Sequence, residues 1–147
     1  MGDGILLVLK DQAQETFLQV ALDYVETSSE EVTVLQILNS TLYHYGHNDL
    51  LAGGRSKSDF LLYIRKEVLD KGQTQADKVL QEAKNRQLRV NVVSVESDDA
   101  ADAVMAEVVK GYSLIILPKE EKKRFPLFHK TTGERIRKKT SVPILEL

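Results

Sequence analysis

The residues best able to do chemistry lie in the last third of the chain. Between Lys119 and Lys139 nine basic residues stand beside three acidic ones, a local +6 in a protein whose net charge is −2, so the remainder carries −8. Cations clustered in an otherwise acidic chain point to a local anion site or a partner surface, and not to general affinity for nucleic acid. Lys119 precedes a charged loop, Lys130 ends it, and Thr131-Thr132 opens a helix whose free backbone N–H groups favour an anion. The competing reading of the same run is a solvated surface, with Lys122, Lys123 and Arg124 in a loop and Arg137 to Lys139 at an exposed helix end.

Other constellations are thinner. His44, His47 and Asp49 offer zinc- or nickel-type ligands, but H-x-x-H spacing is common and no fourth ligand is evident, so no metal is expected. Gly53-Gly54-Arg55-Ser56 has the glycines of a phosphate loop without the Walker lysine and hydroxyl pair, and reads as a lead-in to a helix. His129 is a base with no orienting partner in view. There is no G-x-S-x-G elbow, no H-E-x-x-H and no cysteine, so no catalytic residue is assigned and an enzyme is not expected.

These residues need a scaffold, and the composition supplies an ordinary one. The chain has 147 residues, 42% hydrophobic and 29% charged, enough for one domain over 1–147 with its own core. The absence of cysteine fits a reducing cytoplasm. The longest aliphatic run, Ile5 to Leu9, is a third of what a membrane span needs, so no membrane association is expected.

The patterning alternates strands and helices. Ile5 to Leu9 is a continuous apolar run, as in a parallel strand buried on both faces. Asp11 and Gln14 are capping candidates for a helix over 12–27, and Val32 to Leu38 is β-branched and reads as a second strand. Residues 39–57 read as a loop. Leu61, Ile64, Val68, Ala76, Val79 and Ala83 predict a helix over 58–87 that runs through Gly72, with a neighbour packed closely against the bare glycine. A strand over 88–95, a helix capped by Asp98 or Asp99 and closed by Lys110-Gly111, and a strand over 113–117 follow. Thr131 and Glu134 form a T-x-x-E capping box for the last helix, and 142–147 is a terminal strand. This order predicts an α/β fold, a doubly wound five-stranded parallel sheet with helices on both faces. Ligands of such sheets sit beyond the strands' C-terminal ends, here at Leu9-Lys10-Asp11, Ile37-Leu38-Asn39 and Leu117-Pro118-Lys119.

On the order of elements, the long second helix, Leu114 to Leu117, and the tail Glu134-Arg135-Ile136 through Ser141-Val142-Pro143-Ile144-Leu145, the chain resembles the universal stress proteins from Ile5 to Leu147. The resemblance implies an adenine nucleotide alpha hydrolase-like fold, a stress-linked regulatory role and a homodimer paired through Val142, Pro143, Ile144, Leu145, Glu146 and Leu147. One branch of that family binds ATP. Its acidic residue that reads adenine falls on Lys10, its apolar contact on Ile37, its two turn glycines on Pro118 and Glu121, and its later glycine and hydroxyl on Lys130 and Thr131. Glycines let backbone N–H groups approach a triphosphate; Pro118 has no N–H and Glu121 adds a carboxylate. The expectation is a homodimeric regulatory binding protein, with a regulatory protein as a further partner, that needs no cofactor and does not hold ATP in the glycine-loop manner. The alternative is a protein that holds ATP with magnesium, or another phosphorylated ligand, through Lys10, Lys119, Lys130, Thr131 and Thr132, with slow hydrolysis.

Overall fold

A computed structural model of the chain describes residues 4–10, 15–28, 31–39, 54–119 and 131–147. The element order is β1 (Ile5–Lys10), α1 (Glu15–Glu26), β2 (Val32–Asn39), α2 (Gly54–Asn85), β3 (Val90–Ser97), α3 (Ala100–Val108), β4 (Leu114–Leu117), α4 (Thr132–Arg137) and β5 (Ile144–Glu146). The five strands form one parallel sheet in the order β3-β2-β1-β4-β5. The order reverses between β1 and β4, which makes the sheet doubly wound, as expected.

β1 is central, which explains its unbroken apolar run, because both of its faces are covered. Ile5, Leu7 and Leu9 join Val32, Val34, Phe17, Leu18, Ala21, Leu22, Val25 and Val79, so α1 and α2 cover one face. Leu6 and Val8 join Leu35, Ile37, Ile115, Leu117, Ala101, Val104 and Ile136, so α3 and α4 cover the other. Arg86 ties the helices of the first face together: its guanidinium meets Asp23 at 2.5 Å and Gln19 at 2.5 Å. At the N-terminal end of the sheet, the buried Glu107 is satisfied by the Tyr112 hydroxyl at 2.7 Å and by Lys110 at 3.0 Å.

The expected elements are present with shifted ends. α2 starts at Gly54, earlier than predicted, and β3 extends to Ser97, because Glu96 and Ser97 pair with Leu38 and Asn39 although they carry no apolar signal. β5 covers only Ile144–Glu146, since Pro143 has no N–H to give a ladder. Asp99 is the N-cap of α3 and accepts from the Asp102 amide at 3.2 Å. Gly111 takes a positive φ of 94° after α3, a conformation that glycine adopts without strain.

Gly72 lies within continuous α2, against β2. A Cβ there would fall 2.8 Å from Leu38 Cδ2 and 3.0 Å from Gln36 Nε2. Gln36 is a buried polar residue of β2: it is 1% exposed, and its amide donates to the Gly72 carbonyl at 2.8 Å and to Ser94 Oγ at 3.3 Å. The glycine lets the helix backbone approach this amide closely enough to be bonded. The close neighbour expected of Gly72 is therefore β2.

Candidate functional site

At the C-terminal end of the sheet, on the α3 and α4 face, a cleft of about 270 Å³ is lined by Lys10, Ile37, Ser97, Asp98, Asp99, Ala100, Thr132 and Arg135. Each wall follows from the topology. Lys10 ends β1 and pairs in register with Ile37 of β2, so the floor is one cation beside one apolar side chain. β3 ends at Ser97, and because every strand runs the same way, the helix that follows begins at this same end. α4, the crossover from β4 to β5, brings Thr132 and Arg135 to the opposite wall.

Two polar pairs span the cleft. Lys10 Nζ donates to Thr132 Oγ1 at 2.9 Å, joining the end of β1 to the first turn of α4. Arg135 donates to Asp99 Oδ2 at 2.8 Å, joining α4 to the N-cap of α3. The Arg135 hydrogen bond, with help from the Asp102 amide, holds the Asp99 carboxyl below the usual carboxylate range against a smaller opposing effect of burial. Asp99 thus meets a helix N-terminus with one oxygen and a guanidinium with the other. The lining carries two cations and two carboxylates, so it is polar and close to neutral, unlike the basic run that surrounds it in sequence.

The predicted site residues separate into three groups. Lys10, Ile37 and Thr132 are brought together in the cleft. Thr131 is buried as the N-cap of α4, its hydroxyl accepting from the Glu134 amide at 3.2 Å, while Pro118 and Lys119 follow β4 without lining the cleft. The exposed Lys119 uses its backbone N–H on the Leu147 carbonyl at 3.0 Å. Lys130, Glu121, His129, Lys122 to Arg124, Asp11 and Gln14, and the His44, His47 and Asp49 cluster lie outside the described residues. Among the described residues no group of three or more His, Cys, Asp or Glu side chains could hold a metal, and no helix is long and apolar enough to cross a membrane.

Sequence reasoning missed Ser97, Asp98, Asp99 and Arg135 as cleft residues. It read the aspartates only as caps and Arg135 only as part of a tail motif. The available signal was topological, because a helix following a parallel strand starts at the ligand end of the sheet.

The predicted interface strand is at a sheet edge. Ile144 packs on the α3 and α4 face with Val142, whereas Leu145 and Leu147 pack on the face of α1. Glu146 also turns inward: Arg137 approaches its Oε1 at 3.4 Å, and a Cβ on Gly133 would collide with the same oxygen. Glycine at position 133 is what makes room for that carboxylate beneath α4.

No family model matches the chain, and no curated protein matches it in sequence. Solved structures do match its fold. A protein of the universal stress protein family from Burkholderia pseudomallei superposes with a TM-score of 0.68 at 17% identity, covering 99% of this chain and 96% of that one. The universal stress protein from Archaeoglobus fulgidus in complex with dAMP gives 0.55 at 14% identity, covering 97% and 95%. A universal stress protein family protein from Arabidopsis thaliana with AMP bound gives 0.58 at 12% identity, covering 97% and 90%. With its strand order, its helices on both faces and near-complete superposition, this chain has the universal stress protein fold.

Proposed function

We propose that this protein is a homodimeric regulatory binding protein of the universal stress protein kind, acting in a reducing cytoplasm, whose cleft is built from side-chain pairs and does not hold ATP through a glycine cradle. The observation that carries the reading is the Lys10 to Thr132 hydrogen bond. The position that the family resemblance gives to an acidic adenine reader holds an ammonium, which donates to a ring nitrogen but cannot accept from an exocyclic amine. That ammonium is also engaged with the first turn of α4. Glu134 and Glu146 already place carboxylates beside that turn, so an incoming phosphate would meet like charge there. With Pro118 after β4, the residues present do not suit an adenine triphosphate in the glycine-loop arrangement.

A second reading has its own support, since two structures of this fold carry AMP or dAMP. Lys10 and Arg135 share one cleft, and a mononucleotide gripped by these two side chains would bind weakly and lose affinity steeply with salt. Calorimetry at near-physiological salt separates the two. The proposal expects no tight binding of ATP with magnesium and at most salt-sensitive binding of AMP. A micromolar constant for ATP, selective over GTP and lost in Lys10→Ala or Thr132→Ala, would replace the first reading with the second.

A further inference from the structure

α4 is six residues long, about 9 Å of helix, too short to bend internally. It stands between the cleft and the β5 edge. On one side Thr132 and Arg135 bond to Lys10 and Asp99 across the cleft. On another, Gly133 lies against Glu146 and Arg137 pairs with the same carboxylate, which belongs to the edge strand β5. Ile136, fully buried, anchors α4 in the same core cluster as Leu117, Ile115 and Ala101.

We propose that α4 is a relay: the state of the cleft sets the position of Glu146, and with it the order of the β5 edge. The proposal rests on the second reading above for a ligand in the cleft, and on the homodimer reading, with β5 as its pairing edge, for the outcome. The physical content is a competition. A ligand with an anionic or acceptor group must draw on Lys10 or Arg135, and either draw loosens a contact that fixes α4 against α3 and β1. A rigid helix cannot give way on one side only, so Gly133 and Arg137 shift against Glu146. Movement of an inward-facing charge on an edge strand alters how that edge can pair. Coupling of this kind is reciprocal, so disturbance at Glu146 must also be felt at Thr132 and Arg135.

The test is amide exchange followed by NMR on the full chain, comparing wild type with Asp99→Asn. Asparagine keeps the cap of α3, because its amide oxygen also accepts from the Asp102 N–H, but it removes the charge that holds Arg135. The amides to follow are Leu147, which donates to the Leu117 carbonyl at 3.1 Å, and Lys119, which donates to Leu147 at 3.0 Å. The relay predicts that both exchange about fivefold faster, the low end of coupling between sites, while amides of β2 and β3 keep their wild-type rates. Unchanged rates at Leu147 and Lys119, or equal acceleration in every strand, would overturn it. Should Asp99→Asn fail to fold, Arg135→Gln breaks the same pair from the other side and carries the same expectation. Exchange in dilute protein does not require a dimer. Light scattering on wild type can therefore sink the dimer reading while the exchange pattern decides the relay on its own.

Discussion

Replacing Gly72 by alanine sets two effects of opposite sign against each other. Helix propensity alone favours alanine by about 1 kcal/mol in a helix interior. The surroundings oppose it. The new methyl would lie 2.8 Å and 3.1 Å from the two Leu38 methyls and 3.0 Å from Gln36 Nε2. Leu38 is only 8% exposed and has little space to turn into, while Gln36 is tethered to Gly72 and Ser94 by hydrogen bonds. Overpacking a filled core costs about 1–3 kcal/mol, and displacing Gln36 would leave a buried amide short of an acceptor, a loss of similar size. The upper part of the overpacking range applies, and the net is a destabilisation of about 1–2 kcal/mol. For a domain of this size that is a fall in Tm of roughly 2–8 °C. Thermal melts of wild type, Gly72→Ala, Leu38→Ala and the double variant close a cycle. Shortening Leu38 removes the nearest obstacle, so Gly72→Ala should cost little or even stabilise in that background, a coupling of about 1–3 kcal/mol. A higher Tm for Gly72→Ala in wild type, or an undiminished penalty after Leu38→Ala, refutes the packing argument.

Further expectations follow from the cleft and the edge. Because the folded-state pKa of Asp99 is lowered, its pairing with Arg135 contributes stability above the ordinary carboxylate pKa and loses it as pH falls through the lowered value. The pair is partly exposed, so Asp99→Asn should cost only about 0.5–1 kcal/mol at pH 7, and the gap in Tm to wild type should narrow towards pH 3. Light scattering should report twice the chain mass for wild type and the single-chain mass for Ile144→Asp; a wild-type monomer at high concentration counts against β5 as the interface. Gly133→Ala should expel Glu146 from beneath α4 at a cost under about 1 kcal/mol, since the obstacle is the far end of a flexible side chain. That cost should vanish in a Glu146→Ala background, and melts showing a large penalty that persists there would mean the backbone itself is strained.

Where burial dictates residue type, the sequence was readable. Ile5 to Leu9 had to be a strand covered on both faces, and the stripe through Val79 and Ala83 had to face a sheet. Thr131 as a helix cap and the glycine at 111 each specify a local conformation, and each is found there. The ends of β3 and α2 were less legible, because Glu96 and Ser97 are held in the sheet by backbone pairing that no side chain advertises. The cleft was half legible for the same reason. Lys10, Ile37 and Thr132 could be placed by topology, but a bond between Arg135 and Asp99, 36 positions apart, depends on how two helices lean together. The inward turn of Glu146 was equally hidden, since a charge on an edge strand ordinarily reads as a guard facing solvent.

The sheet is unequal across its width: β1, β2 and β3 have six, eight and eight residues, whereas β4 and β5 have four and three. Length of ladder sets how much must be broken at once, so the two halves should behave as cooperative units of different strength. The three long strands with α1 and α2 form the durable unit, assembled from neighbours in sequence. The short strands with α4 form the unit that opens first and closes last. The cleft runs along the seam between them, with Lys10 and Ile37 on the durable side and Thr132 and Arg135 on the labile side. Whatever occupies it therefore joins two parts of the molecule that would otherwise separate at different free energies, and its binding should appear as protection of the weaker part long before it changes the global melt.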